Sequence, residues 1–187
     1  MAGQHKNYYD VVDWCFELSR RYPRSTTIEM LIERLRTAGD KWEIAAIKEH
    51  LAREYVLDEK TNEARRILEE LVAHQSGSEI SLASLASHYL YAEENFDKAF
   101  EVIQEAEKAS IKSGNFRRHI QAQKARIALA QNDYELLSFA LKRITEITVE
   151  IGQRDVRKER DFYDQADKTK LDRKTVVAFE NYLKQSS

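Results

Sequence analysis

The sequence predicts an all-α protein, and three observations carry that prediction. Only five glycines and one proline punctuate 187 residues. Alanine, leucine, glutamate, lysine, arginine and glutamine, the good helix formers, fill most of the rest. Between the breakers lie stretches of roughly 14 to 20 residues with a helical apolar period, and no alternating run bounded by turn residues reads as a strand.

The elements follow in order. A first helix runs from Asn7 to Tyr22, with Tyr8, Val11, Val12, Cys15 and Leu18 along one face, and stops before Pro23. A second begins near Thr26, where Thr26 and Glu29 have capping-box spacing, and ends at Gly39 after Ile28, Leu31, Ile32 and Leu35. Asp40 with Glu43 repeats the start signal, as does Ser76 with Glu79 after a helix ending near His74. Turn-like segments then fall at Asp58–Asn62, Glu93–Asn95, Ser113–Asn115, Asn132–Asp133 and Gly152.

Bulk chemistry narrows the function classes. Apolar residues make up 42% of the chain, enough to build a core. The net charge is −2, so nothing global draws the chain to nucleic acid or an anionic membrane, and neither is expected as a partner. No apolar run could span a bilayer, and the first ten residues lack the core of a signal peptide. The lone Cys15, which cannot form an internal disulfide, fits a reducing compartment, so a cytoplasmic location is expected.

Three segments repeat when aligned on their connecting turns: LAREYVLDEKTNEARRILEEL, ASHYLYAEENFDKAFEVIQEA and ARIALAQNDYELLSFALKRI. Ala64, Ala99 and Leu137 hold equivalent places, 35 and 38 residues apart. Twelve residues earlier stand the small residues Ala52, Ser87 and Ala125. Nine residues earlier stand Tyr55, Leu90 and Ala128. Leu68 and Leu71, Ile103 and Ala106, and Leu141 and Ile144 follow at four and seven. Small residues facing each other let antiparallel helices approach closely, and each pair leaves an apolar face that only the next can cover.

This pattern resembles the tetratricopeptide repeat, in which an aromatic packs under the inter-helix turn, as Phe96 in Asn95-Phe96-Asp97-Lys98-Ala99 and Tyr134 after Asn132-Asp133 would do here. The resemblance covers about Ala45 to Ile151. The family's inter-repeat proline and early tryptophan are absent. It implies one domain over 1–187: an N-terminal helix pair over 1–39, three helix pairs stacked as a short right-handed superhelix over 40–151, and a charged segment with a capping helix over 152–187. Val176, Phe179 and Leu183 form the stripe of that capping helix. Between Arg154 and Lys174, 14 of 21 residues are charged, eight basic and six acidic; a basic-leaning interaction segment is one reading, but the mixed signs favour a solvated helix followed by a loose linker.

The resemblance also implies a concave groove lined by the first helix of each pair. Its candidate residues are Glu49 and Ser84, then Arg53, His88 and Arg126 as a basic row, and Val56, Tyr91 and Leu129 as an apolar row. Such a surface suits a peptide or protein segment with acidic groups beside apolar anchors. The alternatives are a dedicated inhibitor or immunity-type partner protein, and a self-assembling protein pairing through its ends or its charged C-terminal segment.

Enzyme signals are missing. The five glycines are scattered, so there is no phosphate loop, and there is no CxxC, HExxH or Gly-x-Ser-x-Gly elbow. Cys15, inside an apolar stripe, reads as an inert buried thiol. His50 and Glu54 share a helix face but lack a second metal-ligating pair, so an exposed ion pair or no interaction at all is expected there. No catalysis, metal or cofactor is expected.

Overall fold

The computed structural model describes residues 8–74, 79–114, 116–151 and 157–185. These form ten α-helices: α1 Tyr8–Arg21, α2 Arg24–Thr37, α3 Lys41–Leu57, α4 Thr61–His74, α5 Glu79–Tyr91, α6 Phe96–Ser113, α7 Arg117–Ala130, α8 Tyr134–Ile151, α9 Arg157–Gln165 and α10 Arg173–Gln185. A single 3-10 turn, Lys168–Lys170, joins the last two. No strand occurs among the described residues, and none of their helices is long and apolar enough to cross a membrane.

Helix starts show how local chemistry is overridden. α2 begins at Arg24, two residues before the Thr26–Glu29 signal, with Pro23 as its cap and no side-chain cap bond. Proline's fixed φ already suits a helix entrance, and its carbonyl accepts from Thr27 N at 2.9 Å. Asp40 does cap α3, accepting from the backbone N–H of Trp42 and Glu43. Its expected reciprocal partner Glu43 instead takes the Arg34 guanidinium, whose Nε donates at 2.6 Å. The Ser76–Glu79 start and the Gly152 turn involve residues outside those described.

The three hairpin turns share one unusual conformation. Glu59, Glu94 and Asn132 have positive φ of 59°, 51° and 56°, and their separations of 35 and 38 residues match those of Ala64, Ala99 and Leu137. The backbone therefore repeats with the sequence. Only Asn132 tolerates this region readily; a glutamate there is strained by its Cβ. Glu94→Gly is expected to stabilise the protein by about 0.5–1 kcal/mol, measured by urea denaturation. An equal or lower midpoint would show that turn contacts outweigh the strain.

Within the pairs the small residues lie where close packing needs them. Ala64, Ala99 and Ala125 are wholly enclosed, with Leu137 and Ala52 nearly so. Ser87 is the exception: it is half-buried, and its hydroxyl donates to its own helix at Ala83 O, 2.9 Å away. The enclosed small residues of α5 are Ser81, Ala83 and Ala86 instead. Leu68, Leu71, Ile103, Ala106, Leu141 and Ile144 are all buried.

End helices close the stack. Val11, Cys15 and Leu18 of α1 and Leu31 of α2 pack on Ala46, Ile47 and Leu51 of α3. At the other end Phe179 and Leu183 of α10 cover Ala140, Leu141 and Ile144 of α8. The charged stretch before α10 is not a loose linker over its described part: α9 forms, and Phe162, Tyr163, Ala166 and Leu171 join the same core. A helix need bury only one stripe, so dense charge on the remaining positions hid this one.

Ion pairs mark the junctions between successive pairs. Arg34 meets Glu43 from α2 to α3, and Arg65 reaches Glu93 at 3.3 Å from α4 to the α5–α6 turn. Lys124 meets Glu107 at 2.8 Å between α7 and α6, and Arg118 meets Glu159 at 2.8 Å between α7 and α9. A slipped stack would leave these charges without partners in a poorly solvated place, so they discriminate against wrong registers.

Candidate partner-binding groove

The first helices of successive pairs neighbour one another: α1 lies on α3, α3 on α5, α5 on α7, and α7 on α9. This row defines the face on which the groove residues were expected. Arg53 is exposed on α3, and Tyr91 on α5 is exposed too, at 64%. Arg126 on α7 is half-buried and acts electrostatically on the Tyr91 phenol. Val56 and Leu129 are half-buried and pack against the core, so they floor the groove more than they line it.

The basic row breaks at its centre. His88 is 5% exposed and turns towards the preceding pair, its Nε2 3.1 Å from Glu93, which also binds Arg65. Burial lowers its pKa despite the glutamate. Helical spacing places His88 beside the groove, but a carboxylate held by Arg65 offers the ring a partner inside. The candidate face thus presents two arginines, not three basic groups.

Glu49 is a bridge rather than a free groove acid. The Tyr8 hydroxyl donates to its Oε2, while Oε1 is enclosed without a partner. Burial raises its pKa to about 7, against the lowering effects of the Tyr8 and Ser84 hydroxyls. The proton it holds contributes stability that is complete below its ordinary pKa of 4.5 and lost as pH rises through 7. Glu49→Gln is accordingly expected to be more stable than wild type by about 1–2 kcal/mol at pH 8.5 and nearly equal to it at pH 5. Thermal denaturation at the two pH values decides this, and a pH-independent difference would contradict it.

His50 and Glu54 are not an exposed ion pair. Both are buried where α1, α2 and α3 meet. The Ser19 hydroxyl lies 2.7 Å from His50 Nε2 and donates to Glu54 Oε1 at 2.8 Å, while Arg24 Nε approaches Glu54 Oε2 at 3.7 Å. Burial lowers the His50 pKa to about 4. The serine and the carboxylate meet the same ring nitrogen, so among the described residues no third group orients the imidazole towards Ser19 as a base would require. This trio is a structural junction, and only Ser19, on the far helix, was invisible to spacing. Among the described residues no three His, Cys, Asp or Glu groups are placed to hold a metal ion. Cys15 is buried, which pushes its thiol up to about 12.

Two contacts of the candidate arginines lie beyond the reach of helical spacing: Phe16 on α1 and Phe162 on α9 each have one over the ring, Arg53 and Arg126, both at 5.0 Å. Phe16 stands off the apolar stripe of α1, a signal that such a ring has another task.

Stacked helix pairs, equivalent turns and a face formed by successive first helices define a TPR-like helical-repeat fold. Two crystal structures of a Podosopora anserina protein, assigned as a kinesin light chain with nearly identical TPR-like repeats, share it with TM-scores of 0.62 and 0.61. Identity is 18% and 16%, and the matches cover 95% and 96% of this chain and 92% and 96% of theirs. The likeness extends beyond the three repeats legible in the sequence, taking in both end pairs. No protein-family model and no curated protein matches the sequence.

Proposed function

We propose that this chain is a protein-interaction module whose concave face binds an extended segment carrying acidic groups beside an apolar or aromatic anchor. The observation that carries the reading is Tyr91, 64% exposed on α5, with Arg53 and Arg126 on the first helices to either side. Tyrosine and arginine are the side chains that most often dominate binding energy at interfaces, and arginine pairs bidentately with carboxylates. An exposed aromatic between two cations favours a ligand with an anchor flanked by negative charge.

The test is affinity capture from native lysate, followed by titration of the captured protein. Wild type is expected to retain a partner that the Arg53→Glu, Arg126→Glu double variant loses by at least about tenfold, equivalent to about 1.4 kcal/mol, with both proteins equally folded. A partner held equally by both would place recognition on another face. If the wild type captures only itself, in a concentration-dependent assembly, the self-association reading replaces this one.

A further inference from the structure

Both arginines of the concave face rest on rings supplied by helices outside the three central pairs. The Phe16 platform is held in turn by His50, whose ring meets it edge-on at 5.0 Å and 87°. Phe162 is buried in the C-terminal core, beside Tyr163, Phe179 and Ala166. An unsupported arginine samples many rotamers, and ordering it on binding lowers affinity by about three- to tenfold. A ring face beneath the guanidinium removes part of that cost, because stacking uses the face of the group and not its N–H edge.

We infer that Phe16 and Phe162 are positioning residues of the groove, holding Arg53 and Arg126 so that the two guanidinium groups take two carboxylate clusters of one segment laid across α5. This rests on the function proposed above and adds a spacing rule to it. Neighbouring packed helices are about 8–10 Å apart, so α3 and α7, on either side of α5, place their arginines roughly 16–20 Å apart. An extended chain rises about 3.3 Å per residue, so the two acidic clusters lie about five or six residues apart, with the anchor over Tyr91 between them. The end pairs are then part of the recognition surface and not merely caps.

The experiment uses the full chain and two synthetic fluorescein-labelled peptides. Each has two Asp-Glu pairs around a leucine, about six residues apart in one and about three in the other. In the ligand-free wild type, NMR should show the side-chain protons of Arg53 and Arg126 shifted upfield by ring current. Phe16→Leu should abolish the shift of Arg53 alone, and Phe162→Leu that of Arg126 alone. By fluorescence anisotropy, the wild type should prefer the wider peptide. Phe16→Leu should weaken it about three- to tenfold, Phe16→Tyr should not, and adding Arg53→Gln to Phe16→Leu should weaken it less than the two separate losses together. Phe16 is partly exposed, so its leucine variant tests the idea without disturbing a core; Phe162→Leu is the second, buried case. Loss of binding in Arg53→Gln with full affinity in both leucine variants would overturn the positioning role and leave the groove reading standing. A wild type that binds neither peptide would overturn both.

Discussion

Ala99→Trp is expected to cost roughly 3 kcal/mol or more, lowering the melting temperature by about 6–12 °C for a chain of this size. Ala99 has 0% exposure and belongs to the core shared by α5 and α6 with Leu82, Ala83, Leu85, Ala86 and Tyr89. An indole there must push the two helices apart, and the next pair inherits the displacement, because Ile120 and Ile127 of α7 complete the same core. Glu101→Trp, at an exposed position two residues on, is the control and should change stability by no more than about 0.5 kcal/mol. Equal melting temperatures for Ala99→Trp and wild type would remove the basis of the repeat register.

Arg118→Ala is expected to cost about 3–5 kcal/mol, because it leaves the Glu159 carboxylate buried without its cation. The pair is 2.8 Å apart, with side chains only 13% and 6% exposed, and it joins α7 to α9. Its loss should show first as hydrogen exchange across α9. Arg126 should lose the Phe162 platform at the same time, so the damage reaches the proposed groove from one helix away. The Arg118→Met, Glu159→Leu double variant should recover most of the stability, since apolar residues of similar volume replace such pairs with little penalty. A double-mutant cycle with coupling near zero would show that the pair contributes nothing specific.

Much of the fold was legible because its determinants are local. Ala64, Ala99 and Leu137, with their neighbours four and seven residues on, bury because of helical spacing alone, and that spacing survives any tertiary detail. The closing stripe of Phe179 and Leu183 could be read for the same reason. Local signals failed where a second element supplied a better partner. Thr26–Glu29 lost to Pro23, and Glu43 left its capping box for Arg34. His88 left the basic row for Glu93, which Arg65 holds from the previous pair. Asn132 announced its left-handed turn, but Glu59 and Glu94 did not, because only the closed hairpin forces φ positive there.

What the sequence determined by itself is the helical class, the three central pairs and their register, because these follow from which residues recur along one chain direction. The tertiary structure alone decided which polar groups face inward. A rotation of some tens of degrees moves a side chain from groove to core, and its sign depends on the charges waiting on the adjacent helix. It also decided that α1 packs beside α3 and α9 beside α7, on the face that the first helices share. Phe16 and Phe162 are distant from Arg53 and Arg126 in the chain, and only the stacking of first helices brings each ring beneath its guanidinium.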